Sequence, residues 1–222
     1  MAASLVLAGA CALWSVFYIW TEYHWPPKKF FFAKAINSLL FLAVGITAFL
    51  VAPENASYAW FILAALVMGL IGDLLLVFSD KLKFFIAGLA AFLVGQLIYT
   101  AVFAKFGGFM IYDALIFIAL VAVLVTANAK LKLELGRMKK PVAVYAIIIS
   151  AMFTMAVSLL YKGAFGTAAT ALIVSGAVLF LASDAVLALV RFKKDSPAFC
   201  RGLNLSLYYA AQVFLALSIA FV

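Results

Sequence analysis

The sequence of 222 residues is 69% hydrophobic and 11% charged, with a net charge of +8. Because soluble domains carry about a quarter charged residues, this composition excludes a soluble globular protein and predicts an integral membrane protein. Its apolar runs are long and lack strand alternation, which favours helices over a β-barrel. We therefore predict an all-α polytopic membrane bundle, with residues 1–222 forming a single transmembrane domain.

Eight apolar segments are long enough to cross a bilayer as helices. The first has no basic region ahead of it, so we predict a first span rather than a signal peptide. Two separated cysteines, Cys11 and Cys200, and the single His24 predict neither a disulfide framework nor a metal centre, although a carboxylate-bound metal stays open, and no cofactor is predicted. In chain order, the predicted spans cover about residues 3–20, 30–51, 58–78, 84–104, 109–127, 141–161, 165–190 and 203–222.

Basic residues are concentrated in alternate connections. The connections after the first, third, fifth and seventh spans hold 13 of the 16 Lys and Arg, whereas Lys105 and Lys162 are the two in the others. By the positive-inside rule, the basic connections lie in the cytoplasm and both termini lie on the opposite side. Topology therefore explains the basic residues, and no nucleic-acid partner is predicted.

Two aspartates, Asp73 and Asp184, stand inside apolar spans. A carboxylate at membrane depth costs about 3 kcal/mol on insertion scales. Both lie about five or six residues before the predicted cytoplasmic end of their span. Such residues can be structural, bonding neighbouring helices, but two acids at one depth favour a functional site.

Other polar side chains are predicted near the two aspartates. At 1.5 Å per residue, Lys34, Tyr145 and Tyr208 lie in the same layer, about 6–9 Å inside the cytoplasmic boundary. Up to about two turns deeper lie Asn37, Gln96, Tyr99 and Gln212. We predict a pocket open to the inner leaflet, with the aspartates as catalytic candidates and these seven residues as substrate-binding candidates. The alternatives are that Lys34 extends to lipid headgroups and that the others bond one another between helices.

The two halves of the chain resemble each other weakly. Asp73 in the third span precedes Gln96 in the fourth, and Asp184 in the seventh precedes Gln212 in the eighth. With four spans in each half, this order predicts a parallel 4+4 internal repeat.

At these residues the chain resembles a known family, the YhhN-type lysoplasmalogenases. The resemblance implies an eight-span bundle that cleaves the vinyl-ether bond of lysoplasmalogens, with Asp73 and Asp184 as the catalytic pair. The family often has Lys-Pro where Lys34-Ala35 stands here. It also often has histidine at the position of Gln96, and glutamine, unlike histidine, cannot shuttle a proton. The matching elements are Gly72-Asp73-x-x-Leu76, Ser183-Asp184-x-x-Leu187, residues 84–103 around Gly88 and Tyr99, Pro141-Val142-x-x-Tyr145 and Tyr208-Tyr209-x-Ala211-Gln212.

The products implied by the resemblance are a fatty aldehyde and glycerophosphoethanolamine or glycerophosphocholine. Vinyl-ether hydrolysis needs an acid to protonate carbon and a base to activate water, and it needs no metal. Two carboxyls can divide these roles, although their order is not assigned. In this hypothesis Lys34 holds the phosphate, while Tyr208 and Gln212 orient a carboxyl or water.

Two other functions remain open: a proton-coupled transporter or channel using the intramembrane aspartates, and a non-catalytic lipid-binding scaffold. The predicted partners are a lysophospholipid substrate and membrane lipid, with the oligomeric state left open. We expect a multi-pass membrane protein in a bacterial inner membrane rather than the endoplasmic reticulum, because the chain is compact and lacks tails.

Overall fold

The computed structural model describes residues 1–51 and 55–222, and within them it contains eight long helices and no β-strand. Short 3₁₀ segments, Gly136–Met138 and Ile219–Phe221, precede the sixth helix and follow the eighth. All eight helices are long and apolar enough to cross a membrane, which confirms the predicted eight-span all-α fold. The helices are α1 (Ala2–His24), α2 (Pro27–Val51), α3 (Ala56–Leu76), α4 (Leu82–Gly107), α5 (Ile111–Leu131), α6 (Lys139–Lys162), α7 (Thr167–Phe192) and α8 (Phe199–Ser218).

Several helices extend beyond the predicted spans, where polar residues are compatible with a terminal turn. Helix α5 continues four residues past its predicted end, and Lys130 lies in its last turn, where a cation interacts favourably with the helix dipole. Helix α6 begins at Lys139 and takes Pro141 into its first turn, where the missing amide donor costs nothing. The connection predicted between the second and third spans falls partly at residues 52–54, outside the described residues.

Local sequence sets several helix ends. Gly108 follows α4 with φ 70°, and Gly163 follows α6 with φ 62°, a backbone region that glycine enters without steric cost. At the start of α3 the Asn55 side chain accepts a hydrogen bond from the backbone N–H of Tyr58 at 3.4 Å. These caps separate apolar runs that would otherwise read as continuous.

Helix α8 is the central helix of the bundle. It contacts α1, α2, α3 and α7, and it buries more of its length than the other helices do within the described chain. Helix α4 lies between α3 and α6, and α7 lies between α6 and α8. Side chains from α2, α3, α4 and α7 can therefore converge around the residues of α8.

Glycines bring two helix pairs into close contact. A Cβ on Gly88 of α4 would lie 3.3 Å from the backbone oxygen of Gly72 in α3. A Cβ on Gly176 of α7 would lie 3.3 Å from the backbone oxygen of Ala211 in α8. Small residues at such crossings let backbones approach, which is how membrane helices gain packing energy without a hydrophobic driving force.

Helix α5 is peripheral, since among the described helices it contacts α6 alone. A buried polar cluster at its first turn, the Asp113 cluster, attaches it. The Lys162 Nζ lies 2.7 Å from Asp113 Oδ2 and donates to the Gly108 carbonyl at 2.6 Å, and Tyr161 also donates to Asp113. The Met110 backbone N–H donates to the same carboxylate at 2.7 Å. This cluster joins the end of α4, the start of α5 and the end of α6.

Candidate active site

Asp73 accepts hydrogen bonds inside the bundle from two other helices. Its side chain is 2% exposed, and its Oδ2 accepts from the Ser38 hydroxyl at 2.7 Å and from the Tyr208 hydroxyl at 2.8 Å. The Lys34 Nζ lies 3.5 Å from Asp73 Oδ1. Lys34 and Ser38 are one turn apart on α2, so a single face of that helix supplies a cation and a donor. The carboxylate is therefore paired and hydrogen-bonded, as a buried charge requires.

A chain of hydrogen bonds continues from Tyr208 towards α4. Gln212 Nε2 donates to the Tyr208 hydroxyl at 3.0 Å, and the Tyr99 hydroxyl donates to Gln212 Oε1 at 3.1 Å. Gly69 makes room for this chain, because a Cβ there would lie 2.3 Å from Gln212 Nε2. We call Lys34, Ser38, Asp73, Tyr208, Gln212 and Tyr99 together the Asp73 network.

Asp184 lies in a different environment. Its side chain is partly exposed, and its Oδ2 accepts a hydrogen bond from the Tyr145 hydroxyl at 2.7 Å. Both residues line a cavity of about 420 Å³ between α4, α5, α6 and α7. That volume falls within the range of small-molecule sites. The walls are mainly apolar, including Leu89, Leu124 and Leu181. Asp184 thus presents a carboxyl to a space that an apolar molecule can occupy.

Aromatic rings separate the two carboxyls. Tyr208 donates to Asp73, while its ring packs edge-on against Phe180 of α7 at 5.5 Å and Phe92 of α4 at 5.6 Å between ring centroids. Phe180 is one turn before Asp184 on α7. Among the described helices α3 and α7 do not contact each other, and the two aspartates share no hydrogen-bond partner there. The two groups therefore form neighbouring sites, connected through Tyr208 and Phe180.

Comparison with known proteins identifies the family. The model of the YhhN family matches residues 29–219, which include every helix except the first. The chain belongs to the YhhN family. It is 34% identical over 210 residues to lysoplasmalogenase TMEM86B of Mus musculus, covering 94% of this chain and 82% of that protein. It is 36% identical over 170 residues to lysoplasmalogenase TMEM86B of Rattus norvegicus, covering 76% of this chain and 64% of that protein. No solved structure matches the chain.

In this YhhN-family chain, seven of the nine predicted site residues fall in the two groups. Asn37 does not, because its side chain is bonded to Ser15 of α1. The Asn37 Nδ2 donates to the Ser15 hydroxyl at 2.9 Å, and the Asn37 Oδ1 accepts from that hydroxyl at 3.2 Å. Gln96 is 1% exposed, and neither of its side-chain polar atoms makes a hydrogen bond within the described residues. It lines a narrow gap beside Tyr99 and Gln212, between the two groups.

Sequence reasoning missed several residues that shape the two sites. Ser38 could have been found, because it is four residues after Lys34 and so shares its helix face. Phe92 and Phe180 gave no distinguishing signal among 22 phenylalanines. Asn128 and Lys139 line the cavity beside Asp184, although both were assigned to a polar connection. For a metal, no three His, Cys, Asp or Glu side chains cluster within residues 1–51 and 55–222.

Proposed function

We propose that this protein is a lysoplasmalogenase, which hydrolyses the vinyl-ether bond of a lysoplasmalogen. The products are a fatty aldehyde and glycerophosphoethanolamine or glycerophosphocholine. Membership of the YhhN family and the two relatives named lysoplasmalogenase support this activity. The structural observation that carries it is the Asp184 carboxyl, held by Tyr145 on the wall of an apolar cavity of about 420 Å³.

Asp184 supplies the proton that begins the reaction. Its carboxyl donates a proton to the alkene carbon remote from the ether oxygen, which leaves an oxocarbenium ion at the carbon bearing that oxygen. The cation forms beside the new carboxylate, which stabilises it electrostatically. Tyr145 bonds Oδ2 and thereby fixes the carboxyl's orientation. Holding the reacting group in place in this way lowers the barrier.

The same carboxylate then activates water. It accepts a proton as the water oxygen bonds to the cationic carbon, giving a hemiacetal. When the hemiacetal collapses, its hydroxyl proton passes through the carboxyl to the glycerol oxygen as the carbon–oxygen bond breaks. Aldehyde and alcohol leave, and Asp184 returns to its starting protonation state. One carboxyl can therefore act as both acid and base.

Asp73 has a positioning role in this proposal. A division of acid and base roles between two carboxyls would require both to face the substrate, and within the described residues Asp184 alone of the two lines the cavity. Asp73 holds the Tyr208 hydroxyl, and the Tyr208 ring packs on Phe180, one turn from Asp184. The Asp73 network thereby fixes the position of α7 against α8.

The test is aldehyde release by the purified protein in detergent micelles containing a lysoplasmalogen. From the vinyl ether we expect equal amounts of fatty aldehyde and of glycerophosphoethanolamine or glycerophosphocholine. From the saturated 1-O-alkyl analogue we expect no product, because it has no alkene to protonate and so cannot form the oxocarbenium ion. In D₂O the aldehyde should carry one deuterium on the carbon next to the aldehyde carbon. Absence of aldehyde would reject the activity, and ion flux by the same protein in vesicles would then favour the predicted transporter.

We also propose that the cavity opens on the cytoplasmic side. Lys139 and residues of the connection between α5 and α6 line one end of the cavity, at the end of the bundle where the basic connections are concentrated. A bacterial inner membrane, rather than the endoplasmic reticulum, stays a prediction that fractionation of the source cells tests. Cysteine labelling of Arg137→Cys from either side of a sealed membrane tests the orientation.

A further inference from the structure

Four polar groups of the cavity follow one another inward from the end of the bundle at which we propose that it opens. Lys139 is the first residue of α6, and its side chain is exposed. Asn128 is three residues before the end of α5, about 5 Å inward at the rise of an α-helix. Tyr145 is six residues into α6, about 9 Å inward, and Asp184 is eight residues before the end of α7, about 12 Å inward. The cavity thus carries a cation, an amide and then the reacting carboxyl.

The Asn128 amide has unused hydrogen-bonding capacity. Its Oδ1 is shielded from solvent, and within the described chain it has no hydrogen-bond partner. An oxygen left in this state destabilises the folded protein, because it has lost its hydrogen bonds to water without gaining another. A hydroxyl group on a molecule bound in the cavity would remove that cost by donating to it.

We propose, resting on the proposed function, that Lys139 binds the phosphate of the lysolipid and Asn128 Oδ1 accepts from its free sn-2 hydroxyl. A lysoplasmalogen carries its phosphate, hydroxyl and vinyl ether in this order along the glycerol backbone. The order matches Lys139, Asn128 and Asp184 from the mouth inward. An acyl group at the sn-2 position would remove the donated hydrogen bond, so the contact with Asn128 predicts a preference for lyso over diacyl substrates.

Lys34 is not available for this role. Its side chain is 7% exposed, pairs with Asp73 and does not line the cavity. If the Lys34 ammonium moved away to bind a phosphate, the buried Asp73 carboxylate would be left unpaired, which would destabilise the protein. Lys139 has no such partner among the described residues and meets the headgroup at the membrane surface.

The hydrocarbon tail leaves the cavity sideways. The walls reach Val121 of α5 and Ile149 of α6, and Ile149 is four residues beyond Tyr145, about 6 Å farther inward. That depth is too short for a long alkenyl chain. Because α5 contacts neither α4 nor α7 among the described helices, the tail can pass between α5 and these neighbours into the lipid.

Paired lysine variants and paired substrates test the phosphate contact. The variants are Lys139→Met, Lys139→Arg and, as a control of equal charge change, Lys140→Met, whose side chain is also exposed but does not line the cavity. The substrates are a lysoplasmalogen and the corresponding 1-O-alkenylglycerol, which has the vinyl ether but no phosphate. Both are presented at matched mole fractions in neutral detergent micelles.

We expect Lys139→Met to raise KM for the lysoplasmalogen about tenfold, with kcat nearly unchanged. Its KM for alkenylglycerol should stay at the wild-type value, which also shows that the variant is folded. Lys139→Arg should restore most of the affinity, because guanidinium binds phosphate well, and Lys140→Met should behave as wild type. Equal changes for both substrates, or for both lysines, would overturn the phosphate contact while leaving the activity intact.

Asn128→Leu tests the hydroxyl contact by the same logic. Wild-type protein should cleave an sn-2-deoxy lysoplasmalogen with a KM several-fold higher than the natural substrate. In Asn128→Leu the two substrates should have equal KM values. A persisting difference in the variant would reject the contact. If the wild-type protein releases no aldehyde from either vinyl ether, the proposed function and this inference fall together.

Discussion

The two intramembrane aspartates have matching sequence positions and contrasting surroundings. Each contacts a residue 39 positions earlier on the preceding helix, Lys34 for Asp73 and Tyr145 for Asp184. Asp73 is sealed, with a cation and two hydroxyl donors, whereas Asp184 is partly exposed, has one neutral donor and borders a cavity. A carboxylate that is buried and paired therefore acts as a structural centre, whereas a carboxylate with unused hydrogen-bonding capacity beside a cavity can react.

The matched positions also support the predicted parallel repeat. Helix α4 packs on α6 as α8 packs on α2, which is the exchange expected if the first four helices correspond to the last four. The glycine contacts of Gly88 with α3 and Gly176 with α8 join corresponding helix pairs. The correspondence is incomplete, because α1 contacts α8 whereas α5 does not contact α4 within the described residues. That difference opens the cavity beside Asp184 and closes the equivalent space beside Asp73.

Asp184→Asn should have the largest effect on activity. Asparagine keeps the shape but cannot donate or accept the proton, so we expect aldehyde release to fall at least about 100-fold. Thermal unfolding should change little, because Asp184 has no charged partner among the described residues. Asp195→Asn is the control, since Asp195 is exposed and its φ of 60° suits asparagine. Wild-type activity in Asp184→Asn would reject the mechanism.

Asp73→Asn should mainly affect stability. It leaves the buried Lys34 ammonium without its carboxylate, and we expect about 3–5 kcal/mol of destabilisation in reversible unfolding from detergent. Adding Lys34→Met removes the unpaired charge and should restore most of that loss.

The activity of the double variant separates positioning from catalysis. If Asp73 positions α8 against α7, Lys34→Met with Asp73→Asn should release aldehyde measurably faster than Asp184→Asn. A folded double variant as inactive as Asp184→Asn would show that the Asp73 carboxylate takes part in the reaction itself.

Gly69→Ala should have the smallest effect of the three. Its Cβ would lie 2.3 Å from Gln212 Nε2, so Gln212 must shift and its bond to Tyr208 weakens. We expect about 1–3 kcal/mol of destabilisation with partial loss of activity. Gly9→Ala is the matched control, because within the described residues nothing lies within 4 Å of its added Cβ. An equal loss of stability and activity in both variants would mean that replacing any helical glycine by alanine has this effect, and that the Asp73 network is not responsible.

Much of the fold could be predicted from the sequence. Long apolar runs separated by polar connections define membrane spans, regardless of which other helices each span packs against. Counting residues from the basic ends also placed the two aspartates, Lys34, Tyr145 and Tyr208 in one layer, but it did not divide them between two groups. The face of each helix was harder to assign. Asn37 is three residues after Lys34 and so is rotated about 60° backward, towards α1, whereas Ser38 is rotated about 40° forward, towards Asp73.

The position of the cavity, against α5, could not be predicted for a different reason. Helix α5 is apolar on all sides, so its sequence does not show which side meets α6 and which meets lipid. The cavity exists because α5 packs on α6 alone within the described bundle, and that is a property of tertiary packing. Lys139 and Asn128 were therefore read as parts of a solvated connection, although they line its walls.

The Asp113 cluster has a consequence for how the protein is made. Helix α5 leaves the ribosome before α6, which is the one helix it contacts among the described helices. Lys162, which pairs with Asp113, is the last residue of α6 and is synthesised later still. We expect α5 to remain surrounded by lipid, with Asp113 unpaired, until α6 has been synthesised. The two helices then settle as one hairpin, with the ion pair closing its far end. We therefore expect α5 to attach to the bundle late in synthesis.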